Sequence, residues 1–414
     1  MSSISNIILY VLIFLSIYVQ VFFFVTFLEN RKKIIIRNGK IKLGSYPAVT
    51  IIMPIFNEEE TVSKSINSLL NLNYPKDKVK ILLVDDGSTD DTPNVLHKFA
   101  NYPNIKIFHK KNGGKYTALN LGLEHLETDF VGGLDADSYV DKEALVRIMS
   151  CFEKDLSIMA VAPSVVVHNP RNFVQNAQNT EYNMGVYFKK MLGFLGAIHV
   201  TPGPLTIFRK RVFDDLGPYR HGHNTEDMEI AYRMHKNHYK IEHCNDAYVY
   251  TNTPATIGKL YKQRLRWIYG FINNTLDYKS VLFRKKYGNF SLFTLPMSMI
   301  SFLSVSYLFS RLFYNLGVFL YSKILILNTV GWHLTLQNYS FDPFFLNARS
   351  FVFLVIFIYF LTIFAMVFGR KMTEGKWGFS LDMLYFFPVF GIIAPFWLLT
   401  AVYDTLFKRR PAWR

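Results

Sequence analysis

Residues 7–28 contain no charged side chain, and about 20 consecutive uncharged apolar residues have one low-energy setting, a helix through the hydrocarbon of a bilayer. A cleaved signal peptide is the competing reading. No basic region precedes the run, the run is long for such a peptide, and no A-x-A-like cleavage site follows. Arg31, Lys32, Lys33, Arg37, Lys40 and Lys42 follow the apolar run with no acid among them. The positive-inside rule then places the next domain in the cytosol and the short N-terminus outside.

Apolar character returns after Lys286 in three tracts: residues 291–330, interrupted at Arg311; residues 351–368; and residues 381–407, interrupted at Pro388 and Pro395. Three or four crossings are expected there. The first tract holds either two tight spans or an interfacial helix and one span, and the prolines mark a kink or a re-entrant segment. Tyr307, Tyr314, Tyr321 and Tyr359 are candidates to line a channel, or belong to the membrane interface. The net charge of +15 raises nucleic acid as a partner. Much of the basic excess, however, flanks apolar segments (31–42, 284–286, 370–376, 408–410), where anionic headgroups are the simpler partner. A lipid bilayer is expected, and no nucleic acid. Cys151 and Cys244 fall in the cytosolic part and read as buried free thiols.

At 414 residues the chain exceeds one usual domain. It divides into an N-terminal transmembrane helix (1–30), a domain over 46–276, and interfacial and transmembrane helices with a basic tail (277–414). In the middle part residues 49–56, 79–84 and 130–134 read as strands. Helices are expected near 58–70, 91–100, 116–126 and 142–152. Such alternation implies an α/β fold with a mostly parallel sheet covered on both faces. Ligands then sit beyond the carboxyl ends of the strands, where Asn57-Glu58, Asp85-Asp86-Gly87-Ser88 and Asp135-Ala136-Asp137 occur.

Each polar cluster has two readings. Asp135 and Asp137, two apart at a strand end, can share the hard cation that a departing nucleoside diphosphate needs; the same pair also serves as a turn. Residues 85–92 (DDGSTDDT) read as a turn and helix cap, or as a carboxylate against a uracil edge or ribose. Lys111-Asn112-Gly113-Gly114-Lys115 opens a helix where glycines and Lys115 can approach a phosphate, though P-loop spacing is missing. Asp227, in Thr225-Glu226-Asp227, can take a proton from an acceptor hydroxyl, while Thr225 caps its helix. Trp267, in Gln263-x-x-Arg266-Trp267, anchors at an interface or stacks on a sugar, with Gln263 and Arg266 near donor phosphates.

Taken in this order, the motifs resemble the family 2 glycosyltransferase group of membrane synthases that make poly-N-acetylglucosamine, hyaluronan, chitin and cellulose. The resemblance spans residues 48–270 by motif and the remainder by its layout of spans. It implies a GT-A (Rossmann-like) fold. It also implies inverting transfer from a UDP-sugar, with Asp227 as the base and Mg2+ or Mn2+ on Asp135 and Asp137. The donor is expected on Asn57, Glu58, Asp85, Asp86, Lys115, Asp135, Gln263 and Arg266. The acceptor is expected on Gly203, Pro204 and Leu205 of 201–209 (TPGPLTIFR), and on Glu226 and Trp267. Pro202 departs from the small polar residue usual in that stretch.

Three functions follow. The leading one is a processive, plasma-membrane polysaccharide synthase using UDP-N-acetylglucosamine, with a growing chain as acceptor and an accessory subunit as a further partner. The second is a transferase that glycosylates a membrane lipid. The third, a non-catalytic binding protein on the same fold, is disfavoured because Asp135, Asp137, Asp227, Gln263, Arg266 and Trp267 occur together.

Overall fold

The computed structural model describes residues 3–34, 39, 41–330 and 350–409; Arg37, Lys40 and Arg410 of the basic flanks lie outside these. The apolar run forms one helix, α1 (Ser3–Asn30), followed by a short turn at Arg31–Lys33.

Eight strands then form a single sheet in the order β3-β2-β1-β4-β7-β6-β8-β5. β1 (Val49–Ile55), β2 (Val79–Asp85), β3 (Ile105–His109) and β4 (Phe130–Gly133) pair in parallel. β7 (Ile207–Arg209) runs antiparallel to β4 and to β6 (Ile158–Val167). β8 (Lys240–Thr251) is parallel to β6 with two register shifts, and β5 (Ser138–Val140) closes the edge antiparallel to β8. The expected parallel sheet is therefore its first half, and an antiparallel strand joins it to the rest.

β1 has near-continuous hydrophobic composition because both of its faces are covered. Ile51, Met53 and Ile55 enter one core with α2 (Val62–Leu70) and α5 (Ala144–Lys154). Ile52 enters the other, with α4 (Lys115–Glu124) and α8 (Glu226–Lys236). The helix α3 (Thr92–His97) follows the loop after β2, and α7 (Arg211–Leu216) follows β7. Both cysteines are free; Cys244 is buried and Cys151 partly so.

Two long helices lie between this domain and the apolar ones: α6 (Phe173–Phe194) and α9 (Ile257–Asp277). Asn172 caps α6 by accepting from the Gln175 N–H at 2.9 Å, and Thr256 sits at the cap of α9. α6 packs Val186, Tyr187 and Met191 against Phe27 of α1 and against Ala365, Phe368 and Met372 of α11 (Ser350–Glu374). Gly369 allows this approach, since a Cβ there would stand 2.3 Å from the Asn183 carbonyl oxygen. α9 meets the C-terminal helix Ala394–Leu406 through Leu260, Trp397 and Leu398.

Among the described residues, four helices are long and apolar enough to cross a membrane: Ile7–Lys33, Phe290–Thr329, Val352–Glu374 and Leu381–Leu406. The tract at 291–330 is one continuous helix over most of its length, α10 (Leu295–Val330, 36 residues). At 1.5 Å per residue it measures about 54 Å, against a hydrocarbon core of about 30 Å. Pro388 and Pro395 lie in a stretch of mixed 3-10, α and π turns, which irons out into a regular helix only from Ala394. Tyr314, Tyr321 and Tyr359 are each more than half exposed.

Candidate active site

The carboxyl ends of β1, β2 and β4 bring the expected acids to one side of the sheet. At β2, Asp85 accepts from the Ser88 N–H (3.0 Å) and pairs with the His109 ring (3.0 Å). Asp86 accepts from the Gly113 N–H (3.0 Å), the Gly114 N–H (2.8 Å) and the Lys110 ammonium (2.5 Å). The glycine loop that opens α4 thus spends its amides on Asp86 rather than leaving them for a phosphate. Gly114 makes the turn at φ +92°, a conformation open to glycine. Asn57, itself at φ +54°, accepts from the Thr89 N–H (2.8 Å), and the Glu58 N–H donates to Thr92 (2.9 Å). These bonds lock the loop after β1 onto the loop after β2.

The second cluster is tighter. Lys115, the first residue of α4, lies 2.6 Å from Asp135 and 3.2 Å from Glu226. Burial alone would strip its charge, yet these two carboxylates hold its pKa above the ordinary lysine range. Gly203 covers this pair; a Cβ there would meet the Lys115 nitrogen at 2.7 Å and both Asp135 oxygens at 3.2 Å. Burial, with Asp135 and Glu58 as like-charged neighbours, pushes Asp137 up to about 7. Burial, then Glu226, pushes Asp227 up to about 6 against the pull of Lys115 and Arg266. Pro54, Lys115, Asp135, Gly203, Glu226 and Asp227 share one narrow cleft.

Asp227 stands in the first turn of α8 and is only partly buried. Its carbonyl accepts from the Thr201 hydroxyl (2.8 Å), tying the 201–209 stretch to α8. Thr225 does not cap the helix: its hydroxyl donates to the Gly222 carbonyl (2.7 Å) and accepts from Asn274 of α9 (2.9 Å).

The expected acceptor residues separate here. Leu205 is fully buried in the sheet core at φ +57°, and Pro204 is buried beside it. Their side chains form the floor of the turn, and of the three only Gly203 reaches the cleft. Glu226 is 5% exposed and committed to Lys115.

Gln263, Arg266 and Trp267 lie on α9 and are each partly buried. The residue that holds Trp267 is Arg264, which carried no expectation. Its guanidinium lies 4.1 Å from the Trp267 ring centroid and 2.5 Å from Glu181 of α6. A cation–π contact at i, i+3 and a charge-assisted bond therefore fix the Trp267 ring. The signal was present in the sequence, since Arg264 and Trp267 are three apart on a helix.

Among the described residues no group of three His, Cys, Asp or Glu side chains is disposed to hold a metal. Two crowded carboxylates remain, Asp135 and Asp137, with Asp137 pushed toward neutrality by burial and by the Asp135 charge. That donor set fits a hard cation that takes its other ligands from phosphates and water.

Residues 50–217 match the model of glycosyl transferase family 2. The chain thus carries a glycosyl transferase family 2 domain over those residues. It is 28% identical to a poly-beta-1,6-N-acetyl-D-glucosamine synthase of Staphylococcus epidermidis over 85% of this chain and 83% of that one. Against the synthase of the same name in Staphylococcus aureus strain COL it is 28% identical, over 64% of this chain and 65% of the other. The fold is like that of the mannosyltransferase PcManGT of Pyrobaculum calidifontis, solved with GDP-Man and Mn2+. That likeness has a TM-score of 0.57 at 16% identity, covering 88% of this glycosyltransferase and all (100%) of that chain. The GT-A architecture expected from the motifs is the one observed.

Proposed function

We propose that this glycosyltransferase is a polysaccharide synthase that moves N-acetylglucosamine from UDP-N-acetylglucosamine to a growing chain, with inversion at the anomeric carbon. The observation that carries the reading is the cleft that Asp227 shares with the Lys115–Asp135 pair, in a domain whose helices α6 and α9 pack against the apolar ones. The names of the Staphylococcus relatives, matched over most of both chains, supply the sugar and the polymer.

Asp227, at about 6, is ionised at neutral pH and takes the proton of the acceptor hydroxyl. The acceptor oxygen forms the new bond to the anomeric carbon as the bond to the UDP oxygen breaks, so one displacement inverts the centre. Asp135 and Asp137 would hold Mg2+ or Mn2+, which when bound neutralises charge on the diphosphate. Lys115 adds a fixed positive charge on the same side, and Arg266 another at Asp227. Asp86, with three bonds already accepted, keeps carboxylate capacity for the nucleoside. Trp267, clamped by Arg264, presents an aromatic face to the sugar and shields the donor from water. The enzyme then sits in the plasma membrane with its domain in the cytosol, a reading supported by its long apolar helices and by the basic residues that follow the first of them.

Purified protein in lipid, with Mn2+ and labelled UDP-sugars, tests this reading by product size. A large, glycosidase-sensitive product from UDP-N-acetylglucosamine alone is expected. A single labelled lipid would replace the polymer with a lipid acceptor.

A further inference from the structure

The cleft around Asp227 does not use the whole ligand-bearing edge of the sheet. β7 is antiparallel to both β4 and β6, and β6 is parallel to β8, so β6 and β8 end on the same edge as β4. Ligands of such sheets collect at that edge. An open groove of about 510 Å3 lies there, beside β5, and shares no lining residue with the Asp227 cleft.

The groove is lined by rings. Tyr139 of β5, His168 after β6 and Tyr250 of β8 follow one another, with ring centroids 5.0 Å and 6.3 Å apart. The Asn252 amide fixes Tyr139 by donating to its hydroxyl (3.0 Å), and the His168 N–H donates to the Thr251 carbonyl (2.9 Å). One wall is α2. That helix buries Val62, Ser65, Ile66 and Leu69, which leaves Lys64, Asn67 and Asn71, at three- and four-residue spacing, on the stripe that lines the groove. The Lys64 ammonium sits 4.7 Å from the Tyr139 ring centroid and 3.4 Å from the His168 Nε2. Among the described residues the side-chain amides of Asn67 and Asn71 make no hydrogen bond.

This lining is selective. It holds no carboxylate to attract a cation. It holds one ammonium, already seated over a ring, whereas a di- or triphosphate is met by several cations or a set of convergent backbone amides. Aromatic faces rimmed by planar amides suit a saccharide. The rings cover the apolar C–H face of a pyranose, and each amide offers both a donor and an acceptor to hydroxyl or N-acetyl groups.

We infer that this groove is a second saccharide-binding site, which seats a sugar unit on Tyr250 and His168 and holds its polar groups with Asn67 and Asn71. N-acetylglucosamine as that unit rests on the proposed function; the affinity for a saccharide does not.

The test uses the full chain in lipid, without UDP-sugar, and a soluble N-acetylglucosamine oligosaccharide bearing a photoreactive diazirine, with captured peptides mapped by mass. Cross-links within residues 64–71, within 167–169 or at Tyr250 are expected, and unlabelled oligosaccharide should compete them away. Asn67→Ala combined with Asn71→Ala, both at exposed positions, should weaken this capture about 10-fold, the loss of two neutral hydrogen bonds, and leave the dissociation constant for UDP-N-acetylglucosamine unchanged. Tyr250→Leu, which removes the aromatic face, should weaken it as well. Capture confined to the Asp227 cleft, groove capture that the double variant leaves at wild-type strength, or groove labelling by a photoreactive UMP in place of the saccharide each overturns the site. A wild-type enzyme that is captured in the groove yet transfers no N-acetylglucosamine overturns the proposed function alone, transfer without groove capture overturns the site alone, and neither capture nor transfer overturns both.

Discussion

Gly270 of α9 lies so close to Thr225 that a Cβ on the glycine would stand 2.2 Å from the threonine hydroxyl oxygen. Thr225 opens the helix that carries Asp227, and Gly270 follows Trp267 by less than one turn. The two motifs thus meet where the Thr225 side chain packs on the Gly270 backbone, and Asn274 reinforces the joint with bonds to Thr225 (2.9 Å) and to the Gly222 carbonyl (3.1 Å). Positive φ at Gly222, His223 and Asn224 completes the loop, which the His223 ring also ties to Asp277 of α9 at 2.7 Å.

Gly270→Ala is therefore expected to force α9 and α8 apart at a cost of about 1–3 kcal/mol of overpacking, and to lower transfer at least 10-fold. Gly258→Ala, at a position with open space around it, is the control: it should leave transfer unchanged and add up to about 1 kcal/mol through helix propensity. Thermal unfolding and UDP release measured on both variants check the contrast.

The Arg264–Glu181 pair should behave as one unit. Arg264 is 4% exposed, so Glu181→Gln leaves a buried charge without its partner, which typically costs about 3–5 kcal/mol, while Arg264→Gln leaves Glu181, its side chain 28% exposed, and should cost less. A double-mutant cycle on stability should return a coupling of roughly 0.5–3 kcal/mol. Additive effects would mean that the pair does not clamp Trp267.

Transfer should fall on acidification through pH 6, because Asp227 must be ionised to accept a proton and its pKa is pushed up to about 6. A log-rate slope of one below pH 6 and a plateau above it are expected. Stability runs the other way. Asp227 has a folded pKa above its ordinary 3.8, so its contribution is fully present below pH 3.8 and lost as pH rises through 6. Asp227→Asn should accordingly melt at or above the wild-type temperature at pH 7.5.

Asp137→Ala should abolish transfer together with its dependence on Mn2+, since one remaining carboxylate, already paired with Lys115, holds a hard cation poorly. Titrating Mn2+ against UDP release measures this. A variant with the wild-type Mn2+ response would remove Asp137 from the metal site.

Much of the fold could be read from the chain because it is written locally. β1, β2 and β4 are short apolar runs that end in Asn57, Asp85 and Asp135, and a parallel sheet puts such ends together. What could not be read depends on partners distant in sequence. The amides of Gly113 and Gly114 turn out to serve Asp86. Leu205 lies under the cleft because Gly133 takes its N–H at 2.6 Å. Glu226 is drawn to Lys115. The tract at 291–330 gives no internal sign that it remains one helix, since Arg311 is tolerated on an exposed helix face as readily as at a turn.

The central claim is that Asp227 removes the acceptor proton in a cleft where the donor is already bound. The most direct measurement compares Asp227→Asn with wild type for UDP-N-acetylglucosamine binding and for sugar transfer in the same lipid preparation. Donor affinity within about twofold of wild type, with transfer lost by 10²-fold or more, is the expected result. Near wild-type transfer by Asp227→Asn would contradict it.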